Sequence, residues 1–241
     1  MKSARVYAAS IVLNDGRIWI LGGLGVESVL QTTEILEQNS AGGWKVHKGP
    51  DLPKPLFGHC IEHLHNGKIL LTGGFDGGDQ TTTSYEFEWL DDFSGNWETK
   101  VWSSLDMKRY DHSCYAVDGN VHLTGGWHED FNRKLKDKQY DEALMKWKDS
   151  VSEINDAHVL RSAKVGVSEG KLALIGGVIC HVHFDLPNGK NCSKPRSVYE
   201  LEITSDSKHK WKTSKNNIAL PRSSHAVVVV PTSIDYSCRV D

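Results

Sequence analysis

The chain has 241 residues, a formal net charge of −3 and 39% hydrophobic residues. Acidic and basic residues are interspersed, which argues against the basic face that nucleic-acid-binding proteins usually carry. The longest apolar run, at 225–231, is far too short to span a bilayer, so we expect no membrane insertion. The five cysteines force no disulfide framework, and the length suits one large all-β domain.

Apolar runs that end in two glycines occur four times along the chain. The pairs are Gly22 and Gly23, Gly73 and Gly74, Gly125 and Gly126, and Gly176 and Gly177, with spacings of 51, 52 and 51 residues. A phosphate-binding glycine loop occurs once per site and has no reason to recur at a fixed spacing. A period near 50 residues instead indicates repeated units that stack or are arranged around an axis.

Each unit predicts four strands in the same order. A short β-prone run comes first, and a tight turn (NDG, NG, DG or EG) joins it to the run that ends in the glycines. Such turns are a strong hairpin signal. In three units a run with two-residue alternation follows, as in SYEFEWL at 84–90. A tryptophan then opens the fourth run, and these tryptophans are Trp44, Trp97, Trp147 and Trp211.

Units three and four depart from this order. Residues 140–154 place apolar side chains at helical spacing, but Trp147 follows its glycine pair by the same 21 residues that separate Trp44 from the first pair. We therefore expect strands at Tyr140 and Trp147 in preference to a helix. Unit four carries an insertion that includes residues 180–194, which we interpret as a long loop.

Four-stranded sheets repeated around an axis form a β-propeller. The double glycine, the Tyr-Glu run and the tryptophan together resemble the Kelch repeat over essentially the whole chain. The resemblance implies an all-β Kelch-type propeller in one domain, with four complete blades at about 4–54, 55–107, 108–159 and 160–219 and a partial fifth at 220–241. The partial unit lacks a glycine pair and a tryptophan, so we expect an open or incomplete ring, with a two-stranded fifth blade, that self-associates.

The repeated residues have structural interpretations. Glycine permits positive φ and close backbone approach where blades crowd, and tryptophan supplies a large apolar body for packing one blade against the next. His59, His112 and His225 are at equivalent positions in different blades, so we interpret them as blade-edge hydrogen-bonding residues and not as a metal cluster. Cys60 and Cys114 are interpreted as small buried residues.

The insertion in unit four contains the remaining candidates for chemistry. His181 and His183 would face one side of a strand, which makes them weak candidates for metal ligands. Cys180 and Cys192 are either a disulfide or two free thiols. A disulfide, together with the glycosylation pattern at Asn191, would fit an extracellular protein, whereas the cytoplasm is the default compartment.

The sequence lacks the catalytic motifs G-x-S-x-G and H-E-x-x-H. It resembles galactose oxidase only in fold, because the tyrosines, histidines and cysteine–tyrosine crosslink of that copper site have no match. We therefore expect a non-enzymatic platform for protein–protein interaction, or adaptor, without a cofactor. The alternative is a carbohydrate-active or metal-dependent propeller enzyme.

The resemblance to Kelch domains implies that a protein partner docks on one end of the propeller. That end is built from the loops that follow the glycine pairs and the loops that precede the first strands. Arginine and aromatic side chains are favoured at interface hot spots. The candidate partner-binding residues are Arg5, Tyr7, Phe57, Phe75, Asp76, Arg109, Tyr110, Trp127, His128, Arg161 and Arg222.

Overall fold

The protein is an all-β propeller. A computed structural model describes residues 1–100, 103–128 and 135–150 and the shorter segments 163–167, 171–175, 179–182, 190–193, 198–203 and 209–215. The strands of these residues form four four-stranded antiparallel sheets, which are the blades, and one two-stranded sheet. The predicted fold class and its four complete blades are therefore confirmed. Among the described residues, no helix is long and apolar enough to cross a membrane.

The strands follow the order predicted from the repeat. Blade 1 contains β1 (Ala9–Val12), β2 (Ile18–Leu21), β3 (Thr33–Gln38) and β4 (Trp44–Lys48). Blade 2 contains β5 (Cys60–His63), β6 (Ile69–Thr72), β7 (Ser84–Trp89) and β8 (Gly95–Lys100). Blade 3 contains β9 (Ser113–Val117), β10 (Asn120–Thr124), β11 (Lys138–Asp141) and β12 (Lys146–Asp149). Blade 4 begins with β13 (Ala163–Val167) and β14 (Lys171–Ile175), continues through an inserted hairpin, β15 (Ile179–Val182) and β16 (Lys190–Ser193), and ends with β17 (Val198–Ile203) and β18 (His209–Thr213).

The predictions for units three and four have different outcomes. In blade 3, Tyr140 pairs with Trp147 across β11 and β12, so the strand prediction is confirmed. In blade 4, the interpretation of the insertion as a loop is wrong, because β15 and β16 pair within it. The sequence carries an Asn-Gly pair at 188–189, which is a strong hairpin signal, and β-branched residues that favour strands. The partial fifth blade at 220–241 lies outside the described residues, so the open ring stays a prediction.

Consecutive blades are joined near the axis by backbone hydrogen bonds. The first strands β1, β5, β9 and β13 contact one another in turn, which places them around the axis. The amide of Gly23 donates to the Leu56 carbonyl (2.8 Å), and the amide of Gly58 donates to the Tyr7 carbonyl (2.9 Å). Blades 2 and 3 repeat both bonds, from Gly74 to Arg109 (2.9 Å) and from Asp111 to Gly58 (2.7 Å). We call these paired bonds the backbone seam.

Backbone conformation and close contacts explain why a glycine recurs at the second position of the pairs in blades 2 and 3. Gly74 and Gly126 have φ values of +103° and +104°, which L side chains rarely adopt. A Cβ at Gly74 would lie 2.9 Å from the Cβ of His59, and one at Gly126 would lie 2.9 Å from the Cβ of His112. The glycines are thus required both by their backbone conformation and by a histidine of their own blade. Gly176 and Gly177 lie outside the described residues.

Three of the four repeat tryptophans lie between blades or in the core. The ring of Trp97 lies 5.8 Å from that of Trp19 in blade 1. Trp147 of blade 3 donates from Nε1 to Ser84 Oγ of blade 2 (3.0 Å). Trp211 is buried and belongs to a cluster that combines residues of blades 3 and 4. These positions agree with the predicted packing role.

Trp44 does not have the packing role predicted for it. It is 50% exposed and pairs with Gln38 at the end of the sheet where β3 turns into β4. Val46 occupies the register position of blade 1 that corresponds to Trp97 in blade 2. The tryptophan that blade 1 contributes to its interface with blade 2 is instead Trp19, from the second strand. The distance from the glycine pair therefore misplaced Trp44, because it does not specify register within the sheet.

Candidate functional site

One end of the propeller carries a group of aromatic rings. In each of blades 1 to 3, the residue after the glycine pair forms an isolated bridge with a residue that precedes the first strand. The bridged pairs are Val6 and Leu24, Phe57 and Phe75, and Tyr110 and Trp127. Each pair joins the start of a first strand to the end of the second strand beside it, and the first strands lie near the axis. The pairs therefore converge at the same end of the propeller. We call Tyr7, Phe57, Phe75, Tyr110 and Trp127 the aromatic face.

Rings of this face contact one another across blade boundaries. The ring centroid of Phe57 lies 6.1 Å from that of Tyr7, 5.3 Å from that of Phe75 and 5.9 Å from that of Tyr110. The rings of Phe75 and Tyr110 are 5.7 Å apart in an edge-on arrangement. These separations lie within the favourable range for aromatic pairs. Tyr7 is exposed, and the other members of the face are half-buried. Residues of the predicted partner-binding set are thus neighbours at one end, and their binding role stays a prediction.

The backbone beneath the aromatic face is held in a left-handed conformation. Tyr7, Gly58 and Asp111 occupy the same position in their three repeats and have φ values of 55°, 61° and 56°. Such a conformation is uncommon for residues other than glycine and is kept where the surrounding structure enforces it. The enforcing contacts are the backbone seam, in which all three residues take part. The seam therefore positions the loops that carry the rings.

The two described arginines of the predicted binding set are structural. The Arg5 side chain is 1% exposed, and its Nη1 donates to the carbonyls of Gly22 (2.7 Å) and Thr32 (2.8 Å). Its Nη2 forms a buried ion pair with Glu34 (3.0 Å). Because a side chain used in this way cannot reach a partner, the prediction that Arg5 contacts one is wrong.

Arg109 has the same role in blade 3. It is fully buried, and its Nη1 donates to the carbonyls of Gly125 (3.3 Å) and Lys136 (3.1 Å). Burial lowers the pKa of Arg109 to about 10, and the nearby carboxylates of Asp106 and Asp137 oppose that shift. The guanidinium thus stays charged at neutral pH inside the fold. Its predicted role as a partner contact is wrong for the same reason as that of Arg5.

The remaining predicted residues have mixed outcomes. Asp76 accepts hydrogen bonds from the amides of Gly78 (3.0 Å) and Asp79 (2.9 Å) and from Lys54 Nζ (2.9 Å). These bonds, with that from the Asp79 amide the strongest, lower the pKa of Asp76 to about 2. Asp76 therefore orders its loop. His128 follows Trp127 and is half-buried. Outside the described residues lie Arg161, His183 and Arg222.

The hairpin in blade 4 brings two predicted cysteines together. Cys180 pairs directly with Cys192 across β15 and β16, and His181 pairs with Asn191. Directly opposed residues of an antiparallel pair have Cα separations of about 4.5 to 5.5 Å, which a disulfide can bridge. The backbone is therefore compatible with the disulfide alternative, and the bond itself stays a prediction.

A second site, which the sequence interpretation missed, is buried between blades 2 and 3. Cys60 and Cys114 are joined as a disulfide with Cα atoms 5.8 Å apart. A ring nitrogen of His112 and the two sulfur atoms all lie within 4.8 Å of one another. All three side chains are buried. We call these residues the thiol–imidazole cluster.

The sequence interpretation missed this cluster because it compared only equivalent positions of the repeat. In the sheet register, Cys60 corresponds to Ser113 and Cys114 corresponds to Ile61, so the two cysteines are offset by one residue. Because side chains of a strand alternate between its two faces, this offset lets Cys60 and Cys114 point toward each other across the blade boundary. A comparison of first-strand residues offset by one would have been the signal to look for.

The histidines that directly precede β5 and β9 are buried and make few hydrogen bonds. Neither ring nitrogen of His59 has a hydrogen-bond partner among the described residues, and His112 has a single weak one, the backbone of Thr72. Burial lowers the pKa of His59 to about 4. Burial, the charge of Arg109 and then that of His59 lower the pKa of His112 to about 3. A hydrogen bond with the Thr72 backbone has a smaller, opposing effect. Both rings are therefore neutral at pH 7. The predicted hydrogen-bonding role is wrong for His59, whereas His112 keeps the backbone of Thr72 as a partner.

Comparisons with known proteins support the fold. No family model matches the chain. The solved structure titled "Structure of YjhT" superimposes with a TM-score of 0.66 and 17% sequence identity, over 91% of this chain and 67% of that one. The spermatocyte protein spe-26 of Caenorhabditis elegans is 28% identical over 86 residues, which are 36% of this chain and only 14% of that protein's length. The chain is thus similar in fold to the YjhT structure over nearly its whole length, and in sequence to a small part of spe-26.

Proposed function

We propose that the chain is a Kelch-type β-propeller module that binds a protein partner through the aromatic face and has no enzymatic activity of its own. The observation that carries the proposal is the contact between rings of three blades at one end of the propeller. A protein surface rarely gathers large aromatic side chains without a use for them, and aromatic residues are enriched at interface hot spots.

The arrangement around the rings suits an interface with a protein. The Lys54–Asp76 pair (2.9 Å) and the Lys108–Asp79 pair are partly exposed beside the apolar group. A central apolar patch with a polar rim is the usual anatomy of a protein–protein interface. Because the backbone seam fixes the loops in advance, little conformational entropy is lost when a partner binds. These features favour recognition by a rigid, preformed surface.

The proposal is tested by affinity capture from the source tissue followed by mass spectrometry. We expect the wild-type chain to retain a partner that the double variant Tyr7→Ala/Trp127→Ala loses. Removal of a hot-spot aromatic residue costs at least about 2 kcal/mol, which is roughly thirtyfold in affinity. The affinity is then measured with the purified partner by calorimetry.

A matched control changes exposed apolar residues at the opposite end of the propeller. Leu90 and Leu144 are each 66% exposed and lie in turns between third and fourth strands. The double variant Leu90→Ala/Leu144→Ala should keep full affinity. If this control loses the partner while the aromatic variant keeps it, the partner binds at the opposite end and the proposal is wrong.

A further inference from the structure

We propose that Cys60, Cys114 and His112 form a zinc-binding site between blades 2 and 3 when the two cysteines are reduced. The three ligand atoms lie within 4.8 Å of one another, and the residues are 5%, 8% and 7% exposed. Thiolate sulfur and imidazole nitrogen are the ligands that Zn²⁺ takes most often in proteins. The proposal does not depend on the aromatic face, because these side chains lie inside the fold.

The buried imidazole supports a metal site. The buried His112 ring has one weak partner, the backbone of Thr72, so its other nitrogen has no hydrogen-bond partner among the described residues. A disulfide does not relieve this, because its sulfur atoms are at best weak acceptors. A Zn²⁺ ion would take the lone pair of one ring nitrogen and so remove part of the cost of burying it.

The corresponding interface between blades 1 and 2 shows that the thiols are particular to this place. His59 is the repeat equivalent of His112 and is equally buried. The positions that correspond to Cys60 and Cys114 are occupied there by Ala9 and Ile61, which cannot bind a metal. A buried histidine thus belongs to the repeat, whereas the complete ligand set occurs at one interface of the described blades.

Zinc binding at this site begins with reduction of the disulfide. A phosphine reductant and one water convert the Cys60–Cys114 disulfide into two thiols and a phosphine oxide. Binding of Zn²⁺ then displaces two protons, one from each thiol, and gives two thiolates that neutralise the charge of the ion. With neutral His112 as the third ligand, the fourth tetrahedral position is left to a ligand from solvent.

The experiment measures zinc in the full chain after reduction, incubation with ZnSO₄ and exhaustive dialysis. We expect about one zinc per chain for the wild type and less than about a tenth of that for Cys60→Ser, Cys114→Ser and His112→Ala. The double variant Cys180→Ser/Cys192→Ser is the matched control, because it removes the other paired cysteines and should keep the zinc. The variant His59→Ala should also keep it.

Substitution with Co²⁺ makes the test independent of how well the variants fold. In the wild type, thiolate ligands should give a near-ultraviolet charge-transfer band, and the intense visible bands of tetrahedral Co²⁺ should accompany it. The proposal is overturned if the reduced wild type retains no zinc and shows no such bands. It is also overturned if alkylation shows that the Cys60–Cys114 bond survives the reductant, or if only the Cys180→Ser/Cys192→Ser variant loses the metal.

Discussion

The interfaces of blade 2 with its two neighbours share one backbone plan and differ in chemistry. Between blades 1 and 2, Trp19 packs against Phe87, Trp89 and Trp97, with ring centroids 4.8 to 5.8 Å apart. The indole nitrogen of Trp19 donates to Thr33 of its own blade (2.9 Å). The side-chain hydrogen bonds that cross this boundary, such as those from Arg17 to the Asp92 carbonyl and between His63 and the Val12 carbonyl (2.8 Å), involve exposed groups at its rim. The buried part of this interface is therefore apolar.

Between blades 2 and 3, polar side chains cross the boundary. The Tyr140 hydroxyl donates to Glu86 (3.0 Å), and the Trp147 indole donates to Ser84 (3.0 Å). Nearer the axis lies the thiol–imidazole cluster. The repeat thus fixes the backbone contacts between blades, whereas the side chains that fill each interface vary from one interface to the next.

Trp19→Ala should show the largest effect, because it removes the centre of the apolar interface. We expect a loss of about 3 to 5 kcal/mol in the free energy of unfolding, from lost burial and the cavity left behind. Chemical denaturation with two-state analysis measures it. Trp44→Ala is the control, since Trp44 is half exposed and should change stability by less than about 0.5 kcal/mol. Equal losses in the two variants would contradict the apolar interface.

Acidification should weaken both interfaces alike. His59 and His112 have their pKa values lowered from 6.5 to about 4 and about 3 in the fold, so below pH 6.5 the unfolded chain binds protons that the fold does not. Their contribution to stability is complete above pH 6.5 and is lost as the pH falls toward the folded pKa values. In zinc-free protein we expect a loss of about 2 kcal/mol for each histidine between pH 7.5 and 5.

His59→Gln sharpens this measurement. Unfolding free energies at several pH values should show that the variant retains about half of the pH dependence, since His112 remains. Carboxylates whose pKa is lowered in the fold, such as that of Asp76, contribute below about pH 5 and so do not obscure the window. An unchanged pH dependence in the variant would show that folding does not lower the pKa of His59.

Gly74→Val tests the seam that both interfaces share. The substitution adds backbone strain at φ +103° and a Cβ within 2.9 Å of His59, so we expect a loss of about 1 to 3 kcal/mol. Gly67→Val is the control, because Gly67 also has positive φ (+82°) but nothing within 4 Å of an added Cβ. A smaller loss at Gly67 in thermal melts isolates the contact with the histidine. If both variants lose the same stability, backbone strain alone accounts for the effect and the contact with His59 does not contribute.

Tyr140→Phe should have the smallest effect, on the polar interface. It removes the hydroxyl that donates to Glu86, and we expect a loss of about 1 to 2 kcal/mol. Tyr85→Phe deletes the same atom from another buried tyrosine, whose hydroxyl makes no hydrogen bond within the described part of the chain. That control should be nearly neutral in urea denaturation. The idea of a polar interface fails if both variants are equally stable.

The blades could be predicted from the sequence because the features that build them recur. The double glycines, the hairpin turns and the alternating runs fixed the strands of three blades and even the strand pair at Tyr140 and Trp147. What could not be predicted depends on the contacts between repeats. The arginines were assigned to the surface because a sequence does not show that Arg5 and Arg109 fold back onto glycine carbonyls of their own blades.

The thiol–imidazole cluster escaped prediction for a related reason. Equivalent histidines were assumed to lie apart around the ring, whereas the charge of His59 acts on His112 across the blade boundary. The cluster instead combines non-equivalent positions of neighbouring blades, Cys60 with Cys114. Periodicity shows which residues are alike, but the twist and packing of adjacent sheets decide which unlike residues meet.

The backbone seam has a consequence for how such a molecule can evolve or be re-engineered. Its bonds join main-chain amides to main-chain carbonyls, and the same two bonds recur at both blade boundaries described in full. A main-chain bond is indifferent to the side chains around it. Duplication, deletion or grafting of a whole blade therefore leaves the inner wall continuous, and the cost of the exchange falls on the outer side-chain interfaces. A transplanted blade should need new side chains only where it would contact interface residues of its neighbour, such as Trp19 or Cys60.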